Sequence, residues 1–208
     1  MSPVTATERT KSAIDSGNLL RAYDLAVSAI NDGDTGSELR HLMVLSLARM
    51  GNGEQALELF REFELNKSPD AHHRSIAARI MKDAALATSD ETERTAALLA
   101  ASEAYREIFD TSQDAYPGIN AATLAFLGGR KKAAADIAGT ILNLSEIADP
   151  LNYYDAATSA EALLIADRIA DAAESLQKAG AMADANAGAR ASSYTQLKIV
   201  SREAGLDQ

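Results

Sequence analysis

A repeat of constant length constrains this chain more than any other sequence feature. Two consecutive segments align without a gap, and their equivalent residues lie 34 positions apart. The equivalent positions are Gly17, Ala22, Ala26 and Ala29 in the first segment and Gly51, Ala56, Phe60 and Phe63 in the second. Because a period of this size is typical of supersecondary units that stack on their neighbours, we expect a stack of similar units.

The residue types in this repeat predict a pair of helices in each unit. The glycine ends the first helix, helix A, where the chain needs a positive φ angle. The alanine, the residue four positions later and the residue three positions after that form one stripe along the second helix, helix B. We therefore expect helix B over 19–31 in the first repeat and over 53–65 in the second repeat.

Later segments keep the helix-pair pattern but not its strict length. Ser68 and Asp90 are predicted N-cap residues, and Glu93 completes a capping-box pattern with Asp90. The predicted helices are 68–86 and 90–108 in a third pair, 116–127 and 134–141 in a fourth, 153–165 and 172–179 in a fifth, and 189–204 at the end. The terminal helix should cap the stack, with Tyr194, Leu197 and Val200 facing it.

These elements predict one fold class and one domain. We expect an all-α protein, an α-solenoid of about five helix pairs with a C-terminal capping helix. The whole chain, 1–208, should form a single helical repeat domain, with regular pairs over 1–66 and irregular pairs with the cap over 67–208.

The repeat resembles the tetratricopeptide (TPR) family, whose units have this length. The second half also resembles a bacterial TPR-like domain related to the TRAF-binding central region of apoptosis signal-regulating kinases. The residues that carry this second resemblance are 116–124 (YPGINAATL), Gly128-Gly129-Arg130, Tyr153-Tyr154, Ala157-Thr158, Glu161-Ala162 and Gln196-Leu197. The second resemblance implies a regulatory domain that binds proteins.

Composition argues against two classes of partner. Acidic residues outnumber basic ones, 30 to 20, and the resulting net charge of −10 disfavours binding to nucleic acid. The densest basic run, Arg130-Lys131-Lys132, is expected to lie in a solvated turn, although a local anion site is the alternative. No apolar stretch approaches the roughly 20 residues that cross a bilayer. We therefore expect no membrane contact and a cytoplasmic protein.

Residues for catalysis or metal binding do not form a recognisable motif. The chain has no cysteine, no phosphate-binding glycine loop and no nucleophile elbow. His41, His72 and His73 lack the helical spacing of a metal-binding pair, so we expect them to be exposed or to lie near helix caps. We therefore predict no enzyme activity, no metal and no cofactor.

Residues on the A helices are the candidates for partner binding. The predicted set is Glu38, His41, Leu45 and Arg49 in the second pair, Tyr116, Ile119, Asn120, Thr123 and Leu127 in the fourth, and Tyr153 and Tyr154 in the fifth. Asn120 could instead tie its helix to a neighbouring backbone, since a buried amide needs partners. The alternative for the three tyrosines, which the usual burial of aromatic residues favours, is that they fill gaps between A helices of neighbouring pairs.

Protein binding is the function that these features favour. The concave face of a TPR stack is expected to hold a peptide or a partner helix, which makes the chain a scaffold or regulatory module. A second copy of the chain, in a homo-oligomer, is another candidate partner. The alternative is a small-molecule or peptide sensor with a pocket between the irregular pairs.

Overall fold

The chain is a set of α-helices in the computed structural model, which describes residues 4–184 and 187–206. The helices are α1 (Ala6–Asp15), α2 (Leu19–Asn31), α3 (Ser37–Arg49), α4 (Gly53–Glu62), α5 (Ala71–Arg74), α6 (Ile76–Ala87), α7 (Glu91–Ser112), α8 (Ala115–Leu127), α9 (Lys131–Leu142), α10 (Ser145–Ala148), α11 (Tyr153–Ile165), α12 (Ile169–Ala181) and α13 (Ala187–Glu203). A short 3-10 helix covers Leu65–Lys67. The described residues contain no β-strand, so the predicted all-α class is confirmed.

Helix A and helix B are joined by the same turn in four places. Gly17, Gly51 and Gly129 adopt positive φ angles of 76°, 84° and 78°, and Asp167 does so at 59°. After each of them the next backbone N–H donates back across five residues, as in Asn52 N to Leu47 O at 3.0 Å. This is the Schellman ending, in which a left-handed residue lets the last carbonyl groups of the helix find donors. The predicted role of the glycines is confirmed.

The chain divides into two compact units, Met1–Ile80 and Met81–Gln208. Helix α6 contains the boundary between them. That the whole chain acts as a single domain, regular over 1–66 and irregular over 67–208, stays a prediction.

In the first unit, α1 and α2 form one hairpin, α3 and α4 form the next, and α3 packs against both α1 and α2. The small residues of helix B lie at the closest approach, since Ala22, Ala26 and Ala56 are fully buried. Phe60 is buried as well, in an apolar cluster with Val44 of α3. The stripe predicted from the repeat is therefore the packing surface of helix B.

The segment after α4 departs from the prediction of one helix over 68–86. Asp70, rather than Ser68, is the N-cap, and its side chain accepts a hydrogen bond from His72 N at 2.7 Å. The helix that begins there ends at Arg74, and α6 starts at Ile76. Ser68 is instead engaged with a side chain, because its Oγ lies 3.0 Å from Nδ1 of His73.

In the second unit, α7 and α8 pack together and are followed by two hairpins, α8 with α9 and α11 with α12. Helix α11 lies against both α8 and α9, which repeats the arrangement of α3 with α1 and α2. Ala134, Ala138 and Ile141 of α9 are fully buried, as their spacing predicts. The same helix-pair logic therefore builds both units.

Helix α13 has its main contacts with α11 and α8, which are the A helices of the two hairpins. Val200 is fully buried in the main apolar cluster of this unit, and Leu197 packs against that cluster. Tyr194 is 66% exposed, so the prediction that it faces the stack is wrong. Tyr194 precedes Val200 by six positions, which is not a same-face spacing, so the two side chains do not share one face of α13.

Candidate functional site

Helix α8 begins with the sequence motif that is most distinctive of the second half. Asp114 caps the helix, and its Oδ1 accepts a hydrogen bond from Tyr116 N at 2.8 Å. Pro117 follows in the first turn, where a missing N–H leaves no helical hydrogen bond unmade. Gly118 is buried beside the ring of Phe109, with no room for a larger residue. The motif thus sets α8 close against α7.

Asn120 lies one turn further along α8 and is buried, with 6% of its surface exposed. Its Nδ2 donates to the carbonyl oxygen of Tyr116 at 2.9 Å. Its Oδ1 accepts a hydrogen bond from Lys82 Nζ at 2.7 Å. These bonds give the buried amide the partners that it needs, but its link to another helix is to the side chain of Lys82 rather than to a neighbouring backbone.

A buried carboxylate, Glu161 of α11, lies next to this pair. The hydroxyl of Thr123 and Nε2 of Gln196 both donate to its Oε1, the second at 3.1 Å. Burial raises the pKa of Glu161, while the bonds from Thr123 and Gln196 and the charge of Lys82 oppose that rise. A carboxylate at this depth needs such donors, because an isolated buried charge is strongly unfavourable.

These residues converge from four helices on one surface. We call the side of α8 and α11 that α13 covers, and that carries Thr123 and Glu161, the α8–α11 face. Gln196 reaches Glu161 from α13, and Leu197 and Val200 add the apolar contacts beside it. The face therefore combines an apolar patch with one buried acidic acceptor, and an amphipathic helix already lies on it.

The remaining predicted residues of the second unit have mixed positions. Ile119 is buried and Leu127 is partly buried, so neither presents a free surface on its own. Tyr116 is partly buried and meets Tyr105 edge to face, with ring centres 6.2 Å apart.

Tyr153 and Tyr154 also meet edge to face, with ring centres 5.8 Å apart. Tyr153 is buried, whereas Tyr154 is 56% exposed. The gap-filling alternative thus describes Tyr153, and Tyr154 is the more exposed of the two.

In the first unit the predicted residues lie along α3. Leu45 is partly buried against two apolar clusters, and Arg49 is exposed. Glu38 is partly exposed and pairs with Lys11 Nζ at 2.6 Å. These side chains do not form a continuous exposed stripe.

The prediction that the histidines are exposed or lie near helix caps is wrong for His41, which is buried within α3, whereas His73 is buried but follows the N-cap Asp70 by three residues. His41 and His73 are 9% and 4% exposed, and their rings stack with centres 4.5 Å apart, whereas His72 is exposed. Burial lowers the pKa of His41 to about 4, with the charge of His73 acting in the same direction. The turn at Ser68–Asp70 brings His73 back towards α3, which no sequence spacing indicates.

The basic run 130–132 is exposed to solvent, as its sequence predicts. Arg130, Lys131 and Lys132 are exposed at the start of α9, and Lys131 Nζ lies 5.6 Å from the centre of the Phe126 ring. Over the residues that the structure describes, no helix is both long enough and apolar enough to span a bilayer.

Comparison with known proteins supports a tetratricopeptide fold. A thermophilic TPR protein from Thermus thermophilus superposes with a TM-score of 0.69 over 93% of this chain and 97% of that chain, at 14% sequence identity. Such a likeness speaks for the fold alone. No curated protein sequence matches the chain.

The tetratricopeptide part of the resemblance is therefore confirmed, while the likeness of the second half to the TRAF-binding region stays a prediction. The family model named Tetratricopeptide Repeats-Sensor, TPR-S, matches residues 18–125, which is more than half of the chain. This chain belongs to the TPR-S family.

Proposed function

We propose that this chain is a regulatory scaffold that binds an amphipathic helix of a partner protein on the α8–α11 face. The tetratricopeptide fold generally mediates protein–protein interaction and scaffolding, and proteins of this type are typically not enzymes. The choice of face, the regulatory role and a cytoplasmic location are parts of the proposal.

The position of α13 is the observation that supports this proposal. An amphipathic helix lies across two A helices, with one residue fully buried and an amide bonded to the acid beneath it. TPR-like surfaces recognise helices through apolar anchors spaced along one side. In this proposal α13 occupies the site until a partner helix replaces it.

The contacts of α13 also suggest what a partner helix would carry. Gln196, Leu197 and Val200 supply an amide donor followed by apolar residues one and four positions later. A donor is needed at the first position because Glu161 Oε1 lies there as an acceptor in an apolar surround. An aliphatic residue in place of that donor would leave Thr123 as the one hydrogen-bond donor to the carboxylate among the described residues.

The test uses the full chain with α13 loosened. Leu197→Glu places a charge in the apolar contact and leaves α8 and α11 unaltered. A fluorescent synthetic peptide of residues 187–206 is then added, and its anisotropy is measured. We expect the variant to bind the peptide at least tenfold more tightly than the original chain, whose own helix competes.

The matched controls lie on the same helix and in the peptide. Ser192→Glu adds the same charge at an exposed position of α13 and should leave peptide binding as weak as in the original chain. A peptide carrying the Leu197→Glu change should not bind. If the Leu197→Glu protein keeps its helical circular dichroism and still shows no preference for the peptide, the proposed site is wrong. Leu197→Ala provides the same comparison if the charged variant loses helicity.

A groove beside α13 favours sensing of a small molecule as a second candidate function. It has a volume of about 410 Å³ and lies between α11, α12 and α13. Two tyrosines line it, and each has a cation over its ring, Arg190 at 5.4 Å from the centre of Tyr153 and Lys198 at 5.8 Å from that of Tyr194. The family description includes the word sensor. Aromatic rings and cations together suit a small planar anion.

A thermal-shift screen of anionic metabolites tests this candidate, since a ligand that binds only the folded chain raises its melting temperature. Tyr194→Ala should abolish any such rise, whereas Lys178→Ala, an exposed change on α12, should not. A rise that survives Tyr194→Ala would move the ligand to another site.

A further inference from the structure

We propose that the first unit binds a divalent transition-metal ion, with Zn²⁺ as the best fit, through Glu38, Asp70 and His73. One ligand atom from each of these residues lies within 4.8 Å of the others. Two carboxylates and an imidazole are a ligand set that zinc accepts, with a fourth position left open. This inference is independent of the function proposed for the second unit.

The distances between the ligand atoms suit one ion. Nε2 of His73 is 2.8 Å from Oε2 of Glu38 and 3.8 Å from Oδ2 of Asp70. Ligands about 2.1 Å from a tetrahedral zinc ion lie roughly 3.4 Å from one another. The two observed distances lie on either side of that value, so shifts of about half an ångström would complete the geometry.

Hydrogen bonds around the cluster already orient two of the three ligands. Asp70 caps α5 with Oδ1, which accepts from His72 N at 2.7 Å, and this leaves Oδ2 on the side of His73. The other imidazole nitrogen of His73, Nδ1, lies 3.0 Å from Ser68 Oγ. A hydrogen bond at that nitrogen directs Nε2 to the metal, as the outer partners of zinc-bound histidines do.

His41 provides a second, independent observation at this cluster. Its ring stacks on that of His73, and it is 9% exposed. Its buried Nδ1 has no hydrogen-bond partner among the described residues, although a buried polar atom without one is unfavourable. A water molecule in the open position of the ion is the donor that we assign to it.

Lys11 makes the proposal distinguishable from a simple network of ion pairs. Its Nζ lies 2.6 Å from Oε1 of Glu38, and its side chain is 53% exposed, so it can turn towards solvent. An ammonium group and a metal ion compete for the same carboxylate. Removal of Lys11 would weaken an ion-pair network, whereas it would strengthen a metal site.

The test is isothermal titration calorimetry of the full chain, without a polyhistidine tag, against ZnCl2. We expect one ion per chain. His73→Ala and Glu38→Gln should weaken binding at least tenfold, and Lys11→Met should strengthen it severalfold. His72→Ala is the matched control, because His72 is the exposed neighbour of His73 and should leave the affinity unchanged.

Two results would overturn the proposal. One is the absence of zinc binding at 1:1 stoichiometry by the original chain and by Lys11→Met. The other is an equal loss of affinity in His72→Ala and His73→Ala, which would indicate surface histidines as the ligands. Because Lys11→Met removes no ligand, its affinity stays informative even if the His73 variant folds poorly.

Discussion

Gly118 is the residue whose replacement tests the packing of the second unit most directly. A Cβ atom at this position would lie 2.8 Å from two ring carbons of Phe109 and 3.1 Å from Cγ1 of Ile141. Carbon atoms in contact are ordinarily about 3.5–4.0 Å apart. Phe109 is 3% exposed and Ile141 is fully buried, so neither can move aside without disturbing its own neighbours.

The expected effect of Gly118→Ala is the difference between two opposing contributions. Overpacking of a dense core costs about 1–3 kcal/mol. Alanine in place of glycine within a helix returns up to about 1 kcal/mol. We therefore expect Gly118→Ala to lower the free energy of unfolding by about 1 kcal/mol. The higher helix propensity of alanine, acting alone, would raise the free energy of unfolding.

Gly139 of α9 supplies the matched control, since a Cβ at this position would have no other atom within 4 Å. Gly139→Ala should raise the free energy of unfolding by about 0.5–1 kcal/mol, because only the helix preference changes. Urea unfolding followed by circular dichroism at 222 nm compares both variants with the original chain. A loss of about 1 kcal/mol would lower the midpoint by roughly 0.5 M.

The reasoning fails if Gly118→Ala is as stable as the original chain, or more stable, while Gly139→Ala behaves as expected. That result would mean that α7 and α8 are not in the close contact described. Equal destabilisation by both changes would instead show that the helix preference was misjudged. Opposite signs for the same substitution are the outcome that the structure requires.

Four further outcomes are expected. Asp167→Gly should raise the free energy of unfolding by about 0.5–1 kcal/mol in denaturant titrations, because the φ angle of 59° is unfavourable for a residue with a side chain. Gly51→Ala should lower it by about 1–2 kcal/mol, because φ is 84° at that turn. Asp90→Ala should lower it by about 1 kcal/mol in the same assay, because the hydrogen bond to Glu93 N at 2.8 Å is lost. Burial raises the pKa of Glu161, so its protonated form stabilises the folded chain below the ordinary pKa of 4.5, and this contribution is lost as the pH rises through the folded-state pKa. Because glutamine does not titrate, Glu161→Gln should remove this loss of stability. The melting temperature of the variant should therefore change less with pH above pH 4.5 than that of the original chain.

The repeat predicted the helix pairs because its positions have geometric roles that depend on few neighbours. A glycine at the end of helix A needs only its own backbone conformation, and Gly17 and Gly51 adopt it. The small residues of helix B follow from the distance at which two helices meet. Asp167 fills the same turn in the last hairpin, where composition does not signal it.

The polar sites could not be predicted in the same way, because they depend on contacts between distant parts of the chain. Glu161 and Gln196 are 35 positions apart, and so are Glu38 and His73. One signal was present in the first case, since Glu161 is a lone acid within a run of buried small and apolar residues. His73 reaches α3 because the chain turns back at Ser68, and no periodicity in the sequence predicts that turn.

Helix α13 begins six residues after the end of α12, at Ala187 after Ala181. A competitor on so short a tether acts at an effective concentration in the millimolar range. An outside helix present at micromolar concentration would therefore need roughly a thousandfold greater intrinsic affinity to take half of the sites. If a partner helix displaces α13 as proposed, helices that bind no more tightly than α13 would not do so at micromolar concentration, and the length of this connection would set the concentration at which the chain responds.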